Sequence, residues 1–174
     1  MTVEEYLDYD RADPWKNEYD NGIVYAVSGA DARHTLILAG LLATLWRYVP
    51  EHCVVLGSRM KVRMENPTRI LFPDGSVVCG ASEVAGEGDD EMLLNPTAVF
   101  ELRGVRLSHF TAIESLREYA FVSVDDYRVE HFLRDGDRWN RSVVHGLDAT
   151  LRLPIIGCEV PLREIYHQVL ESPF

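Results

Sequence analysis

Two stretches of this chain each carry one carboxylate in an otherwise apolar run: Ile70-Leu71-Phe72-Pro73-Asp74 and Ala98-Val99-Phe100-Glu101-Leu102. Runs of this kind read as buried strands, and an ionised side chain left unpaired in one costs several kcal/mol. Two such acids close together also repel, which raises at least one pKa unless a cation sits between them. The economical reading is a divalent-metal site on two adjacent strands. The competing reading makes Pro73-Asp74-Gly75 a turn and Glu101 an edge-strand charge. Neither a turn nor an edge requires the apolar context found on both sides of each acid.

The rest of the chain frames that pair. With 174 residues, 47% of them hydrophobic, and no Pro/Gly/Ser-rich linker, residues 1–174 read as one domain with one core. The net charge of −11 argues against a protein that grips nucleic acid mainly through basic surface, though it leaves room for a locally positive cleft. Lys16 and Lys61 are the only lysines. Cys53, Cys79 and Cys158 lack CxxC spacing and read as buried free thiols of a reducing compartment. The acidic N-terminus is no signal peptide and Leu36 to Trp46 is too short to span a bilayer, so a cytoplasmic protein without membrane contact is expected.

In chain order, Thr2-Val3-Glu4-Glu5 is a capping box opening a helix to about Asp10. Glu18 to Val27 reads as a hairpin turning at Asn21-Gly22. Asp31 caps a second helix, with Leu36, Ile37, Leu41, Leu42, Leu45 and Trp46 at helical spacing before Pro50. Cys53 to Met64 and Ile70 to Cys79 read as a second hairpin, and the acidic Gly80 to Glu91 as an exposed, mobile, solvated loop. Thr97 to Leu102 is a strand and Arg106 to Ile113 a short helix. Strands follow at Glu118–Val124, Arg128–Arg134, Arg138–Val144 and Ala149–Leu153, and a last helix from Pro161 carries Leu162, Ile165, Tyr166 and Val169. The pattern is an α/β mixture with a largely antiparallel sheet flanked by helices.

No GxGxxG, GxxxxGK[ST], HExxH or GxSxG occurs, so nucleotide-loop, zincin and hydrolase-elbow chemistry has no support. The six histidines show no ligand spacing and read as structural or surface residues; His34, near the start of the second helix, is the least bland of them.

At these residues the chain resembles the Uma-two family of restriction-endonuclease-like proteins, within the PD-(D/E)XK nuclease superfamily. The likeness runs nearly end to end. It takes in Thr2-Val3-Glu4-Glu5-Tyr6-Leu7, Glu18-Tyr19-Asp20-Asn21-Gly22, Gly29-Ala30 with His34 beyond, and Gly57-Ser58-Arg59-Met60-Lys61-Val62-Arg63. It continues through Phe72-Pro73-Asp74-Gly75-Ser76-Val77-Val78, Asn95-Pro96 leading to Glu101, Ser115-Leu116-Arg117-Glu118-Tyr119 and Gly157-Cys158-Glu159-Val160-Pro161-Leu162.

The resemblance implies a restriction-endonuclease-like PD-(D/E)XK fold, with Asp74 and Glu101 holding Mg²⁺ (or Mn²⁺) and Glu18 as a further acidic ligand. It also implies a lysine after the glutamate strand as the water-activating group. This chain departs there: Glu101-Leu102 runs almost directly into Arg103-Gly104-Val105-Arg106, and Arg106 stands where the family places its lysine. An arginine cannot give up its proton in practice, so Arg106 serves only as a charge clamp. Lys61 is the remaining lysine candidate if the hairpin brings it opposite Asp74. The catalytic set expected is therefore Asp74, Glu101, Arg106 and Lys61. The function expected is a Mg²⁺-dependent endonuclease with an eroded site and low or no activity, a homodimer that meets DNA weakly. The alternative is a non-enzymatic self-association or partner-binding domain on the same fold.

Overall fold

The structure is a computed structural model that describes residues 1–171. The capping box forms: the Thr2 hydroxyl accepts from Glu5 N–H, the Glu5 carboxylate accepts from Thr2 N–H, and α1 (Val3–Ala12) follows. Asn21 and Gly22, both with positive φ, turn β1 (Asn17–Asp20) into β2 (Ile23–Ala26). Asp31 caps α2 (Ala32–Tyr48) through a 2.8 Å hydrogen bond from His34 N–H.

The second hairpin is present but bent across two sheets. Its tip is β4 (Lys61–Met64) against β5 (Arg69–Leu71), and its stem is β3 (Cys53–Gly57) against β6 (Gly75–Cys79). Ser58-Arg59-Met60 and Phe72-Pro73-Asp74 form the corners between tip and stem. Proline suits such a break because it donates nothing to a ladder. Asp74 thereby becomes a corner residue, yet a buried one, 7% exposed.

The strands β7 (Val84–Ala85), β8 (Met92–Leu93) and β9 (Ala98–Glu101) follow, then β10 (Glu118–Val122), β11 (Arg128–Asp135) and β12 (Arg138–His145). One six-stranded sheet has the order β2-β1-β5-β4-β8-β7 and the other β12-β11-β10-β9-β6-β3. Pairing is antiparallel except for β9 with β10 and β4 with β8. A separate hairpin, β13 (Thr150–Leu153) with β14 (Cys158–Pro161), leads into the short helices α3 (Leu162–Ile165) and α4 (His167–Glu171).

The interior strands β6, β9 and β10 of the second sheet are buried on both faces, and strand alternation sorts their side chains. Val77, Ala98 and Phe100 pack with Ile37, Leu41 and Leu45 of α2 and with the C-terminal elements. Val78 and Val99 face the other way, onto Val62, Leu71 and Leu93 of the first sheet. By the same alternation Asp74 and Glu101 point toward the first sheet, into the space between the two.

Several expectations are corrected. No helix spans Arg106 to Ile113; a single 3₁₀ turn, Leu107–His109, stands there. Ser108, His109, Phe110 and Thr111 are weak helix formers, and Phe110, Ile113 and Leu116 reach the core without a helix. The C-terminal helix is split near Tyr166 into α3 and α4; its last positions lie outside the described residues. The Gly80 to Glu91 segment is mostly exposed as expected, but β7 docks it on β8. Cys53 and Cys79, read as free thiols, are directly opposed on β3 and β6 and joined by a disulfide; Cys158 remains free. The expected hairpin already set these two segments side by side; the lack of CxxC spacing is what pointed to free thiols. No helix among the described residues is long and apolar enough to cross a membrane.

Candidate active site

Asp74 and Glu101 sit at the same end of neighbouring antiparallel strands. Gly75 of β6 is opposite Phe100 of β9, so the two acids flank the last rung of that ladder on one face. Glu18, third of the acids, comes from β1 in the facing sheet. All three are buried and line one cleft of about 430 Å³.

Each acid is fixed by its own partners. Asp74 Oδ2 accepts from Leu102 N–H at 2.7 Å, and Oδ1 lies 3.3 Å from His34 Nε2. Glu18 Oε1 accepts from Phe72 N–H at 3.0 Å, which ties β1 to the corner carrying Asp74. Arg106 spans the two glutamates, donating to Glu18 Oε2 at 2.7 Å and to Glu101 Oε1 at 2.8 Å. Its guanidinium is aimed by the backbone: Gly104 turns the chain with φ +116, and Arg106 N–H donates to Tyr119 Oη at 2.7 Å.

The electrostatics are uneven. Burial opposes ionisation of Asp74, but the bonds from His34 and Leu102 outweigh it and hold the carboxyl below its ordinary range. At Glu101 burial wins. Its carboxyl is pushed up to about 8 in spite of Arg106, with Asp74 and Glu18 adding repulsion. Arg106 is also desolvated, yet the two glutamates hold it more firmly charged than a free arginine.

Of the residues singled out in the sequence, Asp74, Glu101, Glu18 and Arg106 therefore meet in one cleft, with His34 behind Asp74. Lys61 does not join them. It lies on the tip strand β4, and its ammonium pairs with Asp10 of α1 at 2.9 Å in a neighbouring cleft. The bend at Ser58-Arg59-Met60 separates it from the stem that carries the acids.

Three cations of the cleft were not assigned to the site from the sequence: Lys16, Arg59 and Arg103. Lys16 stands two residues before Glu18 and Arg103 two after Glu101. Each lies just beyond the strand that carries its acid, so nearness in sequence is the signal that points to both. Burial lowers the Lys16 pKa, Asp74 raises it, and Arg59 and Arg103 lower it further.

A mixed α/β fold with an antiparallel-dominated sheet and acids gathered at the ends of its central strands defines a restriction-endonuclease-like protein. The chain belongs to the Uma2 family, described as "Putative restriction endonuclease", which matches residues 3–163. It is similar to two uncharacterized proteins of Synechocystis sp. (strain ATCC 27184 / PCC 6803 / Kazusa). The protein slr1290 is 22% identical over 95% of this chain and 91% of its own length, and sll1609 is 24% identical over 87% and 91%. A solved structure, described as a "putative nuclease belonging to DUF820" from Anabaena variabilis ATCC 29413, superposes with a TM-score of 0.72. It covers 96% of this chain and 98% of its own, at 15% identity. That likeness shows a shared fold.

Proposed function

We propose that this protein is a divalent-metal-dependent phosphodiesterase of the endonuclease class, with cleavage slowed by the exchange of the family's lysine for Arg106. The observation that carries the reading is Glu101. It is buried beside two further carboxylates and, among the described residues, accepts one hydrogen bond, from Arg106 to Oε1. Arg106 is shared between this group and Glu18, and the other Glu101 oxygen accepts no hydrogen bond among the described residues, which leaves it open to a cation.

The donor set fits a hard cation. Mg²⁺ takes oxygen ligands and is commonly held by one or two carboxylates plus substrate phosphate. Asp74 and Glu101 would hold it, with Glu18 as the further ligand. When bound, the ion supplies Lewis acidity at a phosphoryl oxygen and acidifies a water.

The chain's own groups do the rest. Leu102 N–H and His34 fix the Asp74 carboxylate, and Phe72 N–H fixes Glu18, so the acids are preorganised. Arg106 and Lys16 place positive charge where a phosphodiester gathers negative charge on the way to its transition state. Arg106 cannot accept a proton from water. A positioned acid–base group contributes about a hundred- to ten-thousand-fold in rate, which is the loss expected here.

The test is cleavage of plasmid and of short oligonucleotides with Mg²⁺ or Mn²⁺, alongside Mn²⁺ titration of the protein. Very slow cleavage lost in Asp74→Ala, raised in Arg106→Lys and lowered in Lys16→Met supports the reading. Rapid cleavage by the unaltered protein would mean that Arg106 does not slow the reaction, and overturns that part of the proposal. Absence of both Mn²⁺ binding and cleavage leaves the second reading, a non-enzymatic partner-binding domain, favoured by the way Arg106 already neutralises Glu18 and Glu101.

A further inference from the structure

At the mouth of the acid cleft, Trp15 stands 68% exposed. Exposure alone says little, since Trp46 is 77% exposed; what distinguishes Trp15 is its place at the mouth of the cleft, where a flat indole face can stack on a ligand. It is also braced. Trp15 N–H donates to Asp13 at 3.0 Å, and its carbonyl accepts from Asn17 Nδ2 at 3.1 Å, which fixes the main chain that carries the ring. With Lys16 and Arg59 it borders both the acid cleft and the cleft beside it, forming a ridge between them.

The cations around this ridge are set apart by lining one cleft together; several arginines elsewhere, Arg33 and Arg134 among them, also bond to carbonyl oxygens rather than to acids. Lys16, Arg59 and Arg103 have no carboxylate within ion-pair distance among the described residues. Lys16 is held by Ser58, and Arg103 by Ser28. By contrast Arg11, Arg47, Arg63, Arg69, Arg141 and Arg163 all sit against acids. In a molecule of net charge −11, three such cations beside one exposed indole form a local anion site.

We propose that Trp15, Lys16, Arg59 and Arg103 grip a single-stranded polynucleotide, with an unpaired base stacked on the Trp15 indole and successive phosphates on the three cations. The proposal rests on the phosphodiesterase reading of the cleft and specifies its substrate. Stacking on a side chain needs a free base face, which a duplex interior does not offer, whereas phosphate contacts alone would not distinguish the two. The ridge adjoins the acids, so a strand held there presents its backbone to Asp74 and Glu101.

The test is fluorescence anisotropy with labelled short oligothymidylate, oligouridylate and a duplex of equal length, in EDTA so that no cleavage occurs. Trp15→Ala is expected to weaken single-strand binding about 5- to 100-fold, and Trp15→Phe to restore most of it. Arg59→Ala is expected to reduce the slope of log affinity against log salt by about 0.7, one phosphate contact. Circular dichroism should show all variants folded, since each altered side chain is exposed. The two homopolymers separate a DNA from an RNA preference. Binding unchanged in Trp15→Ala, tighter binding of the duplex, or no binding of any strand overturns the grip. Trp15-dependent single-strand binding in a protein that never cleaves retains the grip and removes the nuclease reading; cleavage indifferent to Trp15 does the reverse.

Discussion

At Glu101, burial competes with a guanidinium 2.8 Å away, and burial prevails. The folded-state carboxyl titrates near 8, above its unfolded value, so the native state takes up a proton there. The stability this contributes is fully present below the unfolded pKa and is lost as pH rises through about 8. Asp74 has the opposite sign: its lowered pKa stabilises the fold above the unfolded value and is lost as pH falls through the folded one. The metal-free thermal midpoint should therefore fall from weakly acidic to weakly alkaline pH. Glu101→Gln should flatten that fall and Asp74→Asn should not, read by near-UV circular dichroism in EDTA. If the acids hold a cation, Mn²⁺ should cancel the decline. A second prediction at this scale concerns Arg106. Removing one partner of a buried pair leaves the other charge uncompensated, at about 3–5 kcal/mol. Urea unfolding should show a loss of that order for Arg106→Ala and a smaller one for Arg106→Lys, which keeps a charge near Glu18 and Glu101.

Among the elements, α2 carries the sharpest packing constraint. A Cβ on Gly40 would lie 2.1 Å from the Ile165 carbonyl oxygen, because α2 and α3 meet there backbone to backbone. Alanine is favoured over glycine in a helix by about 1 kcal/mol, but overpacking costs about 1–3 kcal/mol, and a carbonyl cannot swing aside like a side chain. Gly40→Ala should destabilise the protein, seen as a lower urea midpoint with an unchanged slope. Helix starts such as Thr2 and Asp31, the Asn21-Gly22 turn and the apolar strands were legible in the sequence because each is a local signal. So was the pair of lone acids, whose apolar surroundings mark them without knowledge of the partner strand. What stayed hidden is long-range. The bend that sends β3 and β6 to one sheet and β4 and β5 to the other decides that Lys61 faces Asp10 rather than Asp74. No residue pattern within either strand encodes which sheet it joins.

For the molecule as a whole, Glu101 ends an interior strand of the sheet ordered β12-β11-β10-β9-β6-β3, with Asp74 just before its neighbour β6 and a hydrophobic cluster on each face. β9 has a neighbour on both sides, parallel β10 and antiparallel β6, so its backbone is sealed from water by ladders and side chains alike. Native-state amide hydrogen exchange should reflect this placement. The amides of Val99, Phe100 and Glu101 should exchange only with global unfolding, with full dependence on urea, whereas those of the edge strand β2 should exchange by local fraying. The geometry at Asp74 and Glu101 then has no partial melting of its own: these carboxylates stay in register for as long as the molecule remains folded, and lose it only together with everything else.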